Sequence, residues 1–134
     1  MRTLPHDPRK LLAIYAGGVA GALIRVGLAQ AASVGPGEWP WATFAVNMAG
    51  ALLLGYFFAL LRDHPEESLA HPFLGTGICG TLTTFSTVQL ELFEMVDDGH
   101  LAIAAAYCLA TVAVGFLFVR LGIGLEEQRP EAVQ

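Results

Sequence analysis

The sequence predicts an all-α membrane protein with four transmembrane helices, the third of them broken in the middle of the membrane. Of the 134 residues, 54% are hydrophobic and only 14% are charged, whereas a soluble domain carries roughly 25% charged residues. The apolar residues form four segments, at about 11–32, 41–61, 73–96 and 101–121, each near the roughly 20 residues that a spanning helix needs. The connections are short, so we expect residues 1–134 to form a single membrane domain.

The first segment is rich in small residues and contains one charge. Gly17 and Gly21 form a GxxxG pair, a spacing that lets helices approach closely in lipid. Arg25 follows in the same segment, where an arginine costs at least about 2.5–3.5 kcal/mol unless it reaches the interface or a partner. Arg25 therefore either extends to the lipid headgroups or attracts an anion towards a vestibule.

The second segment begins beside two tryptophans, Trp39 and Trp41, which are typical of an interfacial aromatic belt. Its conspicuous polar residue is Asn47. An amide buried in an apolar environment must be hydrogen-bonded or it costs several kcal/mol, roughly 2–7. Asn47 therefore either bonds to a neighbouring helix or uses its NH₂ group to line an anion pathway.

The third segment holds the stretch on which the functional hypothesis depends, Gly80 to Thr87. Five hydroxyl side chains lie between Thr81 and Thr87, and both glycine and β-branched threonine are poor helix formers. A break in a spanning helix frees backbone groups, and it occurs only where protein, an aqueous cavity or an ion satisfies them. Interrupted spans are where transporters tend to hold ions.

Polar side chains beyond the break suggest a pathway through the membrane. Glu91 and Glu94 are three residues apart and so lie on roughly one helix face; Glu91 is the deeper, and it either reaches the interface or marks a pathway entrance. In the fourth segment Tyr107 and Thr111 are four apart and share a face with Gly115. They either bond to a neighbouring helix or form a polar track beside the break.

Three motifs together resemble the CrcB/Fluc fluoride channels: GGVAGALIR at 17–25, TFAVNMAGALLLG at 43–55 and GICGTLTTFST at 77–87. The resemblance implies an antiparallel dimer with two narrow anion-selective pores and a structural, untransported Na⁺ at the dimer centre. By motif position, the backbone carbonyls of Gly80 and Thr83 would hold this Na⁺. The resemblance also implies roles for five side chains, with Asn47, Phe85, Tyr107 and Thr111 along the anion pathway and Glu91 in its vestibule. Thr43, one turn before Asn47, is expected beside it on the pathway, and Arg25 is the candidate vestibule cation.

The sequence departs from the pattern of that family at two positions. Val88 stands where the family has a second pore phenylalanine, and Gly115 stands where a hydroxyl would extend the polar track. An aromatic ring has a positive edge that can face an anion, and valine has none. Both changes are expected to weaken the pore that this subunit would line.

The distribution of basic residues predicts how the chain is oriented. Three precede the first segment, Arg62 lies in the second link, two lie at the C-terminal end, and the other two links have none. This bias predicts that both termini face the cytoplasm and places the protein in the cytoplasmic membrane as a multi-pass protein. Because an antiparallel homodimer needs one chain to insert in both orientations, a heterodimer with an oppositely oriented paralogue is the alternative assembly.

The function expected from the sequence is passive, fluoride-selective export from the cytoplasm, which lowers intracellular fluoride. The alternatives are a four-span proton-coupled exporter of small cations or drugs, with Glu91 as its titrating carboxylate, and a non-conducting partner subunit of a heterodimeric fluoride channel. The sequence has no nucleophile–base pair or metal-ligand spacing, so an enzyme is not expected. Fluoride, membrane lipid and a second subunit are the expected partners, Na⁺ is the expected cofactor, and nucleic acid is not expected.

Overall fold

The computed structural model describes residues 7–31, 35, 37–62 and 68–128, and within those ranges it contains helices and no strands. The predicted all-helical class is confirmed for this part of the chain. Four α-helices and a π-helix form the elements, together with one short helical turn. In chain order they are α1 (Pro8–Ala31), α2 (Trp41–Leu61), the π-helix (His71–Cys79), α3 (Gly80–Leu82), α4 (Phe85–Asp97) and α5 (Leu101–Glu127).

Three helices are long and apolar enough to cross a membrane, at Pro8–Leu28, Trp41–Leu61 and Leu101–Glu127. The stretch predicted as the third span is instead divided among the π-helix, α3 and α4. The division falls at two residues with extended backbone, Thr83 (φ −72°, ψ 151°) and Thr84 (φ −140°, ψ 112°). Each piece alone is too short to span the hydrocarbon core as a helix.

The observed helix ends differ from the expected ones in two places. The fourth apolar segment ends at about residue 121, but α5 continues to Glu127 because Gly122 is buried against α2 and the residues after it allow a helix. The polar tail from 122 was expected to be frayed, and its residues 129–134 lie outside the described ranges. His71, which the segment bounds place in the second link, is exposed as a link residue would be, but it is already helical. His71 begins the π-helix, and its Nε2 lies 3.2 Å from the carbonyl oxygen of Leu61.

Glycines bring α1 into close contact with the π-helix. A Cβ atom added to Gly17 would overlap the carbonyl oxygen of Phe73, and one added to Gly77 would lie 2.9 Å from the Cα atom of Gly17 and from the carbonyl oxygen of Ile14. Backbone therefore meets backbone at this contact, as the GxxxG spacing predicts.

A second close pair is formed by α2 and α5. A Cβ atom on Gly55 would overlap the carbonyl oxygen of Val119, and one on Gly122 would overlap that of Leu52. The remaining helix, α4, packs onto α5 through a small apolar cluster that contains Val88, Met95, Ala104 and Tyr107. These contacts place α4 beside the α2–α5 pair, while α3 packs on α1 and also contacts α2.

Candidate functional site

The break between α3 and α4 is stabilised first by its own threonines. The hydroxyl oxygen of Thr84 accepts a hydrogen bond from the backbone N–H of Thr87 at 3.2 Å and lies 2.7 Å from the Thr87 hydroxyl. Thr84 thus caps α4, because a threonine hydroxyl can satisfy one of the free N–H groups at a helix start. The hydroxyl-rich sequence that disfavours a continuous helix also begins the next one.

Asn47 on α2 satisfies the backbone at the break. The N–H of Thr84 donates to Asn47 Oδ1 at 2.8 Å, and Asn47 Nδ2 donates to the carbonyl oxygen of Thr84 at 3.2 Å. Asn47 was expected either to bond to a neighbouring helix or to line an anion pathway, and these two hydrogen bonds join it to a neighbouring segment. They use one of the two N–H groups of the amide. The other N–H group is not used by this pair.

The carbonyl oxygens on the α3 side of the break are not all satisfied. Cys79 O accepts from the N–H and the hydroxyl of Thr83, at 3.3 and 3.0 Å. No hydrogen bond joins another described residue to the carbonyl oxygen of Gly80 or to that of Thr83. The described ranges contain no cluster of three or more His, Cys, Asp or Glu side chains that could hold a metal, so main-chain oxygens are the available cation ligands at the break.

Three predicted site residues from three helices meet at the carboxylate of Glu91. The hydroxyl of Thr43 on α2 donates to Glu91 Oε1 at 2.5 Å, and the hydroxyl of Tyr107 on α5 donates to Glu91 Oε2 at 2.7 Å. Tyr107 is fully buried, and Glu91 and Thr43 are partly buried. We call these three residues the Glu91 cluster; each carboxylate oxygen in it has its own donor.

Arg25 faces this region across a pocket of about 200 Å³. The pocket is lined by Arg25 and by threonines from both functional regions, Thr43 of the Glu91 cluster and Thr84 and Thr87 of the break. The Arg25 side chain makes no hydrogen bond or ion pair with another of the described residues. Arg25 and the three threonines thus line one small cavity together with the apolar residues Val26, Ala42 and Val46, and the guanidinium would attract an anion into it.

Two predicted pathway residues lie elsewhere. Thr111 lines a second pocket of about 380 Å³ together with Gly80, Thr83 and Gly115, and its hydroxyl is buried without a hydrogen-bond partner in the described structure. Phe85 is 78% exposed, more than any other large apolar side chain among the described residues. One subunit thus does not enclose the ring of Phe85.

Val88 and Trp39 both pack in the cluster around Tyr107. Val88, one of the two departures from the family pattern, is buried there. Trp39, expected only as an interfacial anchor, lies with its ring centroid 5.4 Å from that of Tyr107 at 80°. Sequence reasoning missed this contact because nothing in the pattern indicates which ring a link tryptophan will meet.

Comparisons with known proteins agree with the three motifs. The family model described as CrcB-like protein, Camphor Resistance (CrcB), matches residues 12–123. The chain is 50% identical over 117 residues to the fluoride-specific ion channel FluC 1 of Mycobacterium bovis, covering 87% of this chain and 89% of the relative. It is 48% identical over 121 residues to FluC 1 of Mycolicibacterium paratuberculosis (90% and 92%) and 39% identical over 124 residues to FluC 2 of Nocardia farcinica (92% and 89%).

The family model covers most of the chain, and these relatives are matched over nearly their whole length. With its apolar helices the chain is an integral membrane protein, and it belongs to the CrcB family.

Proposed function

We propose that the chain is a subunit of a fluoride-selective channel through which F⁻ leaves the cytoplasm passively. The observation that carries the proposal is the pocket in which Arg25 faces the hydroxyl-bearing residues Thr43, Thr84 and Thr87, in a chain 50% identical to a fluoride-specific ion channel. The inside-negative membrane potential favours exit of the anion by about 2.3 kcal/mol per charge per 100 mV. HF that enters as a neutral acid dissociates in the cytoplasm, and the anion then leaves through the channel.

The donors around this pocket suit a small, strongly hydrated anion. Fluoride gives up its water shell only where other donors replace it, and hydroxyl and amide groups are such donors. Arg25 raises the local concentration of anions, and the hydroxyls of Thr43 and Tyr107, which Glu91 orients, come next along the pathway. Phe85 adds the positive edge of its ring.

We further propose an antiparallel dimer with a structural Na⁺ between its subunits. The residues at the break fit this ion, because the carbonyl oxygens of Gly80 and Thr83 lack hydrogen-bond donors in the described structure and hard cations prefer oxygen ligands. When bound, the ion would neutralise these carbonyl dipoles and join two broken helices. A second subunit would also cover Phe85, and the broken span would then lie in the middle of the membrane.

The assembly is either a homodimer or a heterodimer. The excess of basic residues at the ends of the chain favours a single orientation, with both termini in the cytoplasm. That bias and the valine at position 88 support pairing with an oppositely oriented paralogue. In that case this chain would contribute less to conduction than its partner.

Fluoride efflux from liposomes that contain only the purified chain tests the channel, with a fluoride electrode as the detector. Rapid efflux that chloride does not match would support a self-sufficient channel. The same vesicles prepared with N-methylglucamine in place of Na⁺ should lose efflux if Na⁺ holds the subunits together. If the chain alone is silent, recovery on adding a paralogue would identify a heterodimer.

Glu91 is the basis of the competing function, a proton-coupled exporter of small cations. It is a partly buried carboxylate between three helices and could exchange protons for substrate. Glu91→Gln would then abolish cation transport driven by a proton gradient, in vesicles that show no fluoride efflux with or without a partner. That combination would replace the channel proposal.

A further inference from the structure

The ring of Tyr107 is held by aromatic neighbours on the α2 side. Its centroid lies 5.4 Å from that of Trp39 in an edge-to-face arrangement and 6.4 Å from that of Phe44. Trp39 and Phe44 also pack against each other, 5.5 Å apart at 75°. Aromatic pairs at these separations and angles are favourable beyond the area they bury, so the three rings form one rigid unit.

This rigid unit determines where the Tyr107 hydroxyl lies. A tyrosine hydroxyl is at the far end of the ring, so a small swing of the side chain about its Cα–Cβ bond moves the hydroxyl by more than the length over which a hydrogen bond keeps its strength. The hydroxyl donates to Glu91 Oε2 at 2.7 Å. Phe44 follows Thr43 on α2, and Thr43 donates to the other oxygen of the same carboxylate.

The indole of Trp39 contributes its ring and not its polar group. Its Nε1 is buried and has no hydrogen-bond partner in the described structure, although buried donors are nearly always paired. A phenylalanine would fill much of the same space without an unpaired donor. Position 39 therefore requires an aromatic ring that packs edge-to-face on Tyr107, and it does not require the indole N–H.

We propose that Trp39 is a positioning residue for the anion pathway, and that its ring holds the Tyr107 hydroxyl on Glu91. The inference rests on the proposed function, because it treats Tyr107 and Glu91 as pathway residues. Trp39 itself does not touch the anion. It lies in the link before α2 and packs on the cluster that joins α4 to α5.

The contact can be measured without any transport, by ¹⁹F NMR of protein labelled with 3-fluorotyrosine. The chain has three tyrosines, and the signal that disappears in Tyr107→Phe is assigned to Tyr107. Glu91→Gln disturbs the hydrogen bond of the Tyr107 hydroxyl and so provides a reference position for the Tyr107 signal when that bond is weakened. The variants to compare are Trp39→Leu, Trp39→Phe and the control Phe58→Leu, because Phe58 is an exposed aromatic residue of α2 outside the cluster around Tyr107. If Trp39→Leu does not fold, Trp39→Met replaces it.

We expect Trp39→Leu to move the Tyr107 signal towards its position in Glu91→Gln and to slow fluoride efflux about tenfold, the effect of weakening one hydrogen bond to a charged group. Trp39→Phe should restore both the signal and the rate, and Phe58→Leu should leave them unchanged. An unchanged Tyr107 signal in Trp39→Leu overturns the proposal, and so does a moved signal with full efflux. If the wild type conducts no fluoride with or without a partner, the proposed function fails and the pathway role fails with it, while the signal still reports whether Trp39 holds Tyr107.

Discussion

At the residue scale, Glu91 is the point at which α2, α4 and α5 are tied together. It accepts one hydrogen bond on each carboxylate oxygen, from Thr43 and from Tyr107. Hydrogen bonds to charged groups are stronger than those between neutral groups, and in an apolar surrounding a lost partner leaves the other group unsatisfied. Each of these hydroxyls has one proton, so it would donate to an anion only on leaving Glu91.

Replacing Glu91 with glutamine should disturb this cluster. One carboxylate oxygen becomes an NH₂ group, which cannot accept a hydrogen bond, so either Thr43 or Tyr107 must turn its hydroxyl away. We expect Glu91→Gln to lower the free energy of unfolding by about 1.5–3 kcal/mol and to slow fluoride efflux. Melting in detergent and liposome efflux measure the two effects.

The matched control is Glu94→Gln, three residues further along α4. Glu94 is exposed and no hydrogen bond from its side chain to another described residue is seen, so both quantities should stay near those of the wild type. Equal effects of the two substitutions would contradict the role given to the Glu91 cluster.

Asn47 gives a second prediction at the residue scale. Asn47→Ala leaves both the N–H and the carbonyl oxygen of Thr84 without a partner, at a cost of about 1–3 kcal/mol for each group. The melting temperature should therefore fall sharply. Asn47→Asp keeps the acceptor for the Thr84 N–H but sets a second carboxylate oxygen against the Thr84 carbonyl.

The Asn47→Asp variant should regain stability as the pH is lowered. Once protonated, the new carboxyl group can donate to Thr84 O and accept from Thr84 N, as the amide does. Melting temperatures of the wild type and Asn47→Asp across a pH series would show this recovery as a narrowing difference. A difference that stays constant or widens towards acid pH would argue against the two hydrogen bonds.

At the scale of elements, the fold is two glycine-mediated helix pairs joined by a broken segment. α1 packs on the π-helix and α2 on α5, in both cases with a glycine opposite a backbone carbonyl. Such contacts need small residues because lipid provides little hydrophobic drive for helices to associate. The break then leaves Thr83 and Thr84 between the pairs, where Asn47 reaches the backbone.

Two glycines of α5 provide a matched test of this packing. In Gly122→Ala the new methyl group would overlap the carbonyl oxygen of Leu52 and lie 2.8 Å from the backbone nitrogen of Tyr56, whereas at Gly124 no atom lies within 4 Å. Gly122→Ala should destabilise the protein by about 1–3 kcal/mol. Gly124→Ala should be neutral or slightly stabilising, since alanine favours helix by about 1 kcal/mol over glycine. Thermal melting of both variants in detergent decides the matter, and similar melting temperatures would count against backbone contact between α2 and α5.

At the scale of the whole molecule, much of the apolar surface faces outward. Leu12 on α1, Phe93 on α4 and Leu109 on α5 are each more than 60% exposed, as expected for helices that lie in lipid. Phe85 and Gly80 are also exposed, but they flank the polar break. Unsatisfied carbonyl oxygens beside them are unsuited to lipid, which favours a second subunit over that face.

Gly80→Leu tests for that subunit. Within one chain a side chain added at Gly80 meets no atom within 4 Å, so the fold of the subunit should be spared, whereas a partner packed on the break would be displaced. We expect a dimer for the wild type and a monomer for Gly80→Leu by light scattering in detergent. Gly124→Leu, which also enters open space, should remain dimeric. If Gly80→Leu forms a dimer as stable as that of the wild type, the interface between subunits does not include the break.

Much of the fold could be predicted from the sequence because the lengths of apolar segments and their few polar residues are one-dimensional properties. The helical class followed from them, and the resemblance to the family followed from three local motifs. The C-terminal end of α5 and the helical start at His71 could not be predicted, because packing of Gly122 on α2 and the contact of His71 with Leu61 decide them.

The sequence by itself determined that this is a helical membrane protein, which segment contains the poor helix formers, and which polar side chains lie in apolar surroundings. Only the tertiary structure decided which of these side chains meet. Glu91 lies between Thr43 and Tyr107, Asn47 bonds the backbone of Thr84, and Thr111 faces a different pocket. The physical reason is that composition and spacing set the length and faces of a helix, whereas its rotation about its own axis depends on glycine contacts with neighbours distant in the chain.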